Sequence, residues 1–420
     1  MQHYDSVRLE RLVASRRTNH SLPAALYTSQ EAYQADLDII FGRHWIFVAN
    51  AAEVPEPGDY VRIDIGTESV IVVRDDDDQV RAFHNVCRHR GSRLLLEPKG
   101  ITGNLVCPYH QWTYDLTGKL IHAELMHECV GRGTHDLRKV AVRDLEGLIF
   151  ICLAENPPAD FDDVMAQMRP YLAKHGLGRA KVAHQSDLIE TGNWKLTMEN
   201  NRECYHCGGH PELGRSLFIF FGGIDHEIPE NQKQDWEDYQ RTHAEMQQIW
   251  EQTGLPWQPI EELHGRPTGF RTERLALIGP GESYTMDARS ASRKLMGGFT
   301  NRRLGSLHFH TQPNAWFHFL GDHAVTFSVI PLAADKTLVR STWLVDRDAV
   351  EGVDYDVENL TKVWDATNRQ DAAFVEWTHS GATSRAYEPG PYAPNEYMVD
   401  AFCTWYLERM REGLAQPVAA

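Results

Sequence analysis

Residues Cys87–Gly118 read CRHRGSRLLLEPKGITGNLVCPYHQWTYDLTG. Within them stand two mixed pairs, Cys87 with His89 and Cys107 with His110. Each pair lies beside a predicted strand, where a tight loop can present both side chains at one point. Two thiolates and two imidazoles could bind zinc, or serve only a structural role. In zinc sites, however, the pairs are usually all cysteine and all histidine, and here each is mixed. That arrangement suits a [2Fe–2S] cluster in which one iron takes both cysteines and the other both histidines. Gly91, Gly103 and Pro108 supply loop geometry, and WTYDLTG is expected to close the unit as a hairpin.

The flanks of this stretch are rich in β-branched runs. YVRIDI (60–65) and SVIVVR (69–74) predict strands, with Asp75–Asp78 capping a turn before VRAFHNV (80–86). Four consecutive aspartates could hold a metal, but an exposed turn between strands explains them better. Further strands are expected through LVC (105–107) and VAVRDLEGLIFICLA (140–154). Residues 45–160 thus predict an all-β domain, closed at PPADF (157–161). Before it, 1–24 read as a loosely held arm and Thr28 with Glu31 as a capping box, so 1–44 form an arm and a helix.

Residues 161–420 predict helices on an antiparallel sheet. A helix is expected near 161–177. Strands follow at SLHFH (306–310), AWFHFL (315–320), AVTFSVIPL (324–332) and TLVRSTWLV (337–345), with a long covering helix over 353–377. The exit is expected at Pro389–Pro394. The fold class is therefore α+β, an all-β [2Fe–2S] domain plus a helix-on-antiparallel-sheet domain.

The second domain carries ENNRECYHCGGH (199–210). On a helix Glu199, Glu203, His206 and His210 share one face, where an ordinary amphipathic helix would be aliphatic. Two imidazoles one turn apart can grip a divalent metal, and a carboxylate can orient a ligand's second nitrogen. A polar, solvated face would look the same in isolation. A third ligand should come from a distant buried element. On the long helix the stripe Val357, Leu360, Trp364, Asp371, Phe374, Val375 puts Asp371 on the core face, where a carboxylate needs a cation, either a metal or an arginine. Cys204 and Cys207 read as packing residues flanking His206. His308, His310, His318 and His323 read as core or surface histidines.

Composition narrows the function classes. The 420-residue chain is 42% hydrophobic and carries a net charge of −17, which argues against nucleic-acid and anionic-membrane partners. No signal-type run opens it and nothing reaches the ~20 apolar residues of a membrane span. Seven scattered cysteines form no disulfide framework, so the reading is a cytoplasmic protein.

Both motifs carry a resemblance. CRHRGSRLLLEPKG…LVCPYHQWTYDLTG and NWKLTMENNRECYHCGGHPEL resemble the oxygenase (α) subunits of Rieske non-haem iron oxygenases, over about 27–406. The resemblance implies a Rieske cluster on Cys87, His89, Cys107 and His110, and a mononuclear Fe(II) on His206, His210 and Asp371, the last in the family's (E/Q)D context at Gln370-Asp371. It also implies that Glu203 bridges His206 to His110 of a neighbouring chain in a homotrimer. Many relatives have four residues between the two histidines, whereas this chain has three. The chain has no GxGxxG nucleotide fingerprint, and the family takes NAD(P)H electrons through a separate flavin/ferredoxin-type reductase. The wording around Glu203, with ESYTMD (282–287) and AYEPGPY (386–392), is most similar to the branch that demethylates quaternary ammonium compounds. That implies a small cationic substrate, glycine betaine or proline betaine, with carnitine and choline as more distant candidates, and O2 as co-substrate. The alternative is an aromatic ring-hydroxylating dioxygenase α subunit. An aromatic cage would suit the cation, with Leu217, Phe218, Phe220, Phe221, Tyr284, Trp316, Phe317 and Phe319 as aromatic and apolar residues available to it.

Overall fold

The computed structural model describes residues 4–126, 133–218, 228 and 230–416. Phe220, Phe221 and Cys129 lie outside the described residues. No helix of the described residues is long and apolar enough to cross a membrane.

The strand Glu68–Arg74 shows how the β region is built. Its residues alternate between two cores: Val70 and Val72 face the main core of the molecule, while Ile71 and Val73 face a smaller core around Cys87 and Cys107. It lies inside a four-stranded sheet, ordered Val80–His84, Glu68–Arg74, Asp59–Ile65, Lys99–Ile101. Asp75 closes the hairpin as a buried turn acceptor, taking the backbone N–H of Asp77 and Gln79 and the Arg81 guanidinium. The aspartate run is thus a turn, as expected. Two three-stranded sheets complete the region, one of them formed by Leu105–Val106, Thr113–Tyr114 and Leu120–His122.

A seven-stranded antiparallel sheet forms the second region. Its order is Ala180–Glu190, Lys336–Asp346, His323–Ala333, Ala315–Phe319, Ser306–Thr311, Phe270–Leu275, Ile260–Glu262. Phe309, Phe317 and Phe319 of one face pack with Phe47, Phe150 and the helix Phe161–Leu172. The opposite face carries two cross-strand rows. One is Arg271, His310, Trp316, Phe327, Ser341; the other is Glu273, His308, His318, Val325, Trp343. The long helix Val357–Ala382, capped by Asp356, and the short helix Trp194–Asn200 cover the sheet. His308 is half-buried and His310, His318 and His323 are buried, as core residues.

Several expectations need correction. The described part of the expected arm, from residue 4 on, is not loose: Ser6–Ser15 is a helix, N-capped by Asp5, with Leu9 and Val13 fully buried. The cap near residue 28 is Ser29, whose side chain accepts from Ala32 N–H, because Thr28 already ends the preceding helix. The chain does not exit at Pro389–Pro394 but continues into the buried helix Tyr397–Leu414. The strand Ala180–Glu190 and the helix Lys233–Thr253 were not expected.

The largest correction concerns 199–210. The helix stops at Asn200, and His206 and His210 sit in an irregular turn with a single 3-10 turn at Cys207–Gly209. Gly208 and Gly209 weaken helix propensity, and Pro211 pushes His210 to φ −112°, ψ 79°, outside the helical region. Glu199 therefore shares no face with the histidines. Cys204 and Cys207 are joined as a disulfide across this turn, where packing residues were expected.

Candidate metal centres

Two loops of the β region have the same hydrogen-bond plan. Cys87 N donates to the carbonyl of Ser92 and Gly91 N to that of Cys87; Cys107 N donates to the carbonyl of Trp112 and Gln111 N to that of Cys107. The fifth residue of each loop has positive φ, Gly91 at 77° and Gln111 at 60°. This turn presents a cysteine and a histidine from each loop. Both cysteines are buried, His89 is half-buried and His110 is exposed. The imidazoles lie together, rings 4.6 Å apart, with His89 stacked on Trp112 at 4.8 Å. His89 Nδ1 is buried with no hydrogen-bond partner, as a metal-ligating nitrogen would be. Tyr114, which the sequence reading did not single out, places its hydroxyl 3.5 Å from Cys87 Sγ and accepts from Arg88 N–H at 3.0 Å. A hydroxyl there would stabilise a thiolate and tune a cluster. These residues fit a two-iron cluster with thiolates inside and imidazoles at the edge.

The second centre joins residues far apart in sequence. His206 Nε2 and His210 Nε2 stand 3.2 and 3.1 Å from Asp371 Oδ1. The three ligand atoms lie within 4.8 Å of one another, and no other group of three or more among the described residues converges this way. His210 Nε2 and Asp371 Oδ1 are buried without a hydrogen bond of acceptable geometry. The alternative of a salt bridge to an arginine is not met: among the described residues Asp371 pairs only with the two histidines. Such mutually facing lone pairs fit a divalent ion with open positions.

Neighbouring groups fix the tautomers. His206 Nδ1 donates to Glu203 Oε1 at 2.5 Å, and His210 Nδ1 donates to Gln370 Oε1 at 2.8 Å. Gln370 is itself oriented because its amide donates to Glu212 Oε2 at 2.8 Å. With Nδ1 protonated, both Nε2 atoms present lone pairs. Burial opposes charge on His206, but Asp371 and Glu203 outweigh it and push its pKa up to about 9. His210 is raised for the same reason, against burial, by Asp371 and Gln370. Burial alone would raise Asp371, yet the two imidazoles hold it below the usual carboxylate range. Phe374 packs its ring 5.7 and 5.8 Å from the two imidazoles and comes within 3.1 Å of where a Cβ on Gly209 would stand.

A cavity touches Asp371 on its inner side. Glu190, Thr197, Asn201, Trp316 and Trp364 are among its walls, and it leaves about 20 Å³ to the centre of a water molecule, room for roughly one water. Of the cage candidates among the described residues, Trp316 lines it. Phe317 and Phe319 point to the opposite face of the sheet, and Tyr284 instead bonds His308 at 2.9 Å.

Glu199 turns away from the metal centre. Its carboxylate accepts from Tyr27 OH at 2.8 Å and Tyr392 OH at 3.2 Å, and burial pushes its pKa up to about 7. An acid raised on folding stabilises fully below its unfolded pKa, near 4.5, and that contribution is lost as pH rises through about 7. The loss amounts to roughly 3 kcal/mol by pH 8. Glu199→Gln is therefore expected to be more stable than the parent at pH 8 and no more stable at pH 5. Urea denaturation at the two pH values checks this, and equal differences at both would refute it.

Comparison with known proteins agrees with these centres. A family model described as the ring-hydroxylating α subunit (catalytic domain) matches residues 177–412, and one described as the Rieske [2Fe–2S] domain matches 44–141. The glycine betaine monooxygenase oxygenase subunit of Chromohalobacter salexigens is 44% identical, over 95% of this chain and 88% of that protein. Its counterpart in Pseudomonas aeruginosa is 42% identical, over 97% and 93%. A crystal structure of a quaternary ammonium Rieske monooxygenase with L-carnitine superposes with a TM-score of 0.67 at 20% identity, over 95% of this chain and 98% of that one, a likeness of fold.

Proposed function

Since the chain belongs to the Rieske ring-hydroxylating α-subunit family, we propose that it N-demethylates glycine betaine or proline betaine. In this reading Cys87, His89, Cys107 and His110 hold the [2Fe–2S] cluster, and His206, His210 and Asp371 hold Fe(II). When bound, the cluster relays single electrons and the ferrous ion activates O2. The convergence of His206, His210 and Asp371 carries the oxygenase reading. The extent of the likeness to glycine betaine monooxygenases, nearly the whole chain, supports the substrate class.

The net reaction inserts one oxygen atom into an N-methyl C–H bond. The second oxygen atom leaves as water, with two electrons from NAD(P)H and two protons. The N-hydroxymethyl cation then loses formaldehyde and a proton, and the C–N bonding pair stays on nitrogen as a tertiary amine. The protein's part is to bind and orient. Glu203 and Gln370 hold the Nδ1 protons of the two imidazoles, which keeps both Nε2 atoms facing Asp371. Phe374 packs against both imidazoles, and the walls of the cavity limit the space at Asp371 to about one water.

No nucleotide fingerprint is present, so electrons come from a separate flavin/ferredoxin-type reductase. Glu203 carries them on from His110 of a neighbouring chain, which makes the assembly a homotrimer. The exposed His110 edge and the exposed ring of Tyr109 beside it support such a contact. The same reading divides the chain into an arm (1–44), a cluster domain (45–160) and a catalytic domain (161–420), in the cytoplasm.

Formaldehyde release tests the proposal. Reduced, iron-loaded protein is given glycine betaine, proline betaine, carnitine and choline under oxygen, with an aromatic hydrocarbon in parallel. Formaldehyde matching betaine loss is expected. A cis-diol from the aromatic compound, with no formaldehyde from the four amines, would replace it with the dioxygenase reading.

A further inference from the structure

Two buried ionisable groups near the active site, a guanidinium and a carboxyl, lack an oppositely charged partner among the described residues. Arg202 is fully buried. Its Nη1 donates to Asn201 Oδ1 at 2.8 Å and its Nη2 reaches the Thr311 carbonyl at 3.4 Å, while Nε has no acceptor. No carboxylate faces it among the described residues. Its charged neighbour is Arg271, which Glu261 and Glu273 already engage and which works with burial against Arg202's charge. His310, another neighbour, is kept neutral by burial and by Arg202 and leaves Nδ1 unpaired. A guanidinium buried on neutral acceptors alone is costly unless something else completes it.

Glu190 is the reverse case. It is 3% exposed, accepts one hydrogen bond, from Thr197 at 2.6 Å, and has no cation among the described residues. It lines the cavity at Asp371 together with Trp316 and Trp364. Thr197, which holds Glu190, and Asn201, which holds Arg202, also line that cavity. Glu190 therefore lines the space beside the iron ligand, and Arg202 adjoins that space through Asn201.

We infer that this space is a dipolar substrate site: Arg202 takes the carboxylate of a zwitterionic substrate, and Glu190 with Trp316 and Trp364 faces its quaternary ammonium. This inference rests on the demethylase reading and sharpens it. Asn201 Oδ1 engages the guanidinium and the space as it stands holds about one water, so substrate reaches Arg202 by displacing Asn201 and widening that space. The planar fork of arginine suits a carboxylate, and aromatic faces beside an acid suit an ammonium that has no N–H to donate. The site accordingly selects zwitterions over choline-type cations, and the head group it places beside Asp371 carries the N-methyl to be oxidised.

The test compares glycine betaine with its methyl ester, the same cation with its carboxylate capped. Binding to the anaerobic, iron-loaded enzyme is followed by tryptophan fluorescence and calorimetry, without turnover. The parent is expected to prefer betaine over the ester by about 10- to 100-fold, the range of a charge-assisted hydrogen-bonded pair. Arg202→Met, close in shape and free of the buried charge, should erase that preference by weakening betaine alone. Arg202→Lys should restore part of it, and Glu190→Gln should weaken both ligands together. Equal weakening of both ligands by Arg202→Met, or unchanged betaine binding, would overturn the inference. If the parent releases formaldehyde yet shows no preference for betaine over its ester, this inference fails alone. If the parent demethylates no quaternary ammonium compound, the function reading fails first.

Discussion

Asp371→Ala is expected to abolish oxygen-dependent turnover while leaving the cluster's visible and EPR spectra unchanged. Asp371 is the one carboxylate that both Nε2 atoms face, and no other acid among the described residues converges on them. Without it two neutral imidazoles remain, too few to hold a ferrous ion in a facial set. Activity should fall by well over the roughly 100-fold that changes behind a ligand typically cause. Iron is expected to drop from about three to about two per chain at constant acid-labile sulfide. The cluster loops are closed by their own backbone bonds, so their spectra report independently that the β region is intact. Retention of full iron content would remove Asp371 from the ligand set.

Glu203→Gln should produce the opposite pattern, with iron kept and turnover lost. The amide can still accept from His206 Nδ1, so the ring keeps its tautomer. What disappears is the negative charge that helps push His206 up to about 9, together with the carboxylate proposed to reach the neighbouring chain. Turnover is expected to fall by at least roughly 100-fold, with cluster reduction by the reductase unaffected. The decisive measurement is a single turnover: pre-reduced cluster, substrate and oxygen, with cluster reoxidation followed by absorbance. Reoxidation at the parent rate would mean that electrons take another route.

The candidate ligands were legible because their residue types are rare in such patterns. Mixed Cys/His pairs on two loops and a lone aspartate on an apolar helix stripe each call for a cation. The geometry between them was less legible. Histidines four apart fit a helix, and only Gly208, Gly209 and Pro211 signalled the irregular turn that exists. Gln370 as the orienter of His210 and Arg202 as a buried orphan depend on contacts across the fold, which local sequence does not reveal.

Missed elements had weak signatures for identifiable reasons. Ala180–Glu190 is largely half-buried, so it lacks the clean alternation of a core strand. Ser6–Ser15 buries only Leu9 and Val13. Lys233–Thr253 did carry a signal, Thr242, Met246 and Trp250 at helical spacing, but within a strongly polar segment.

The span of each centre along the chain sets an order of assembly. Cys87 and Tyr114, which bound the cluster loops, are 27 positions apart, whereas His210 and Gln370 are 160 apart. Loop-closure entropy grows with separation, and during synthesis the N-terminal part is available first. The cluster pocket can close while the ribosome is still making the sheet. The iron pocket cannot exist until the long helix has emerged and docked. Iron capture therefore marks completion of the fold, and a chain truncated before Asp371 would lack a residue proposed to hold the catalytic metal.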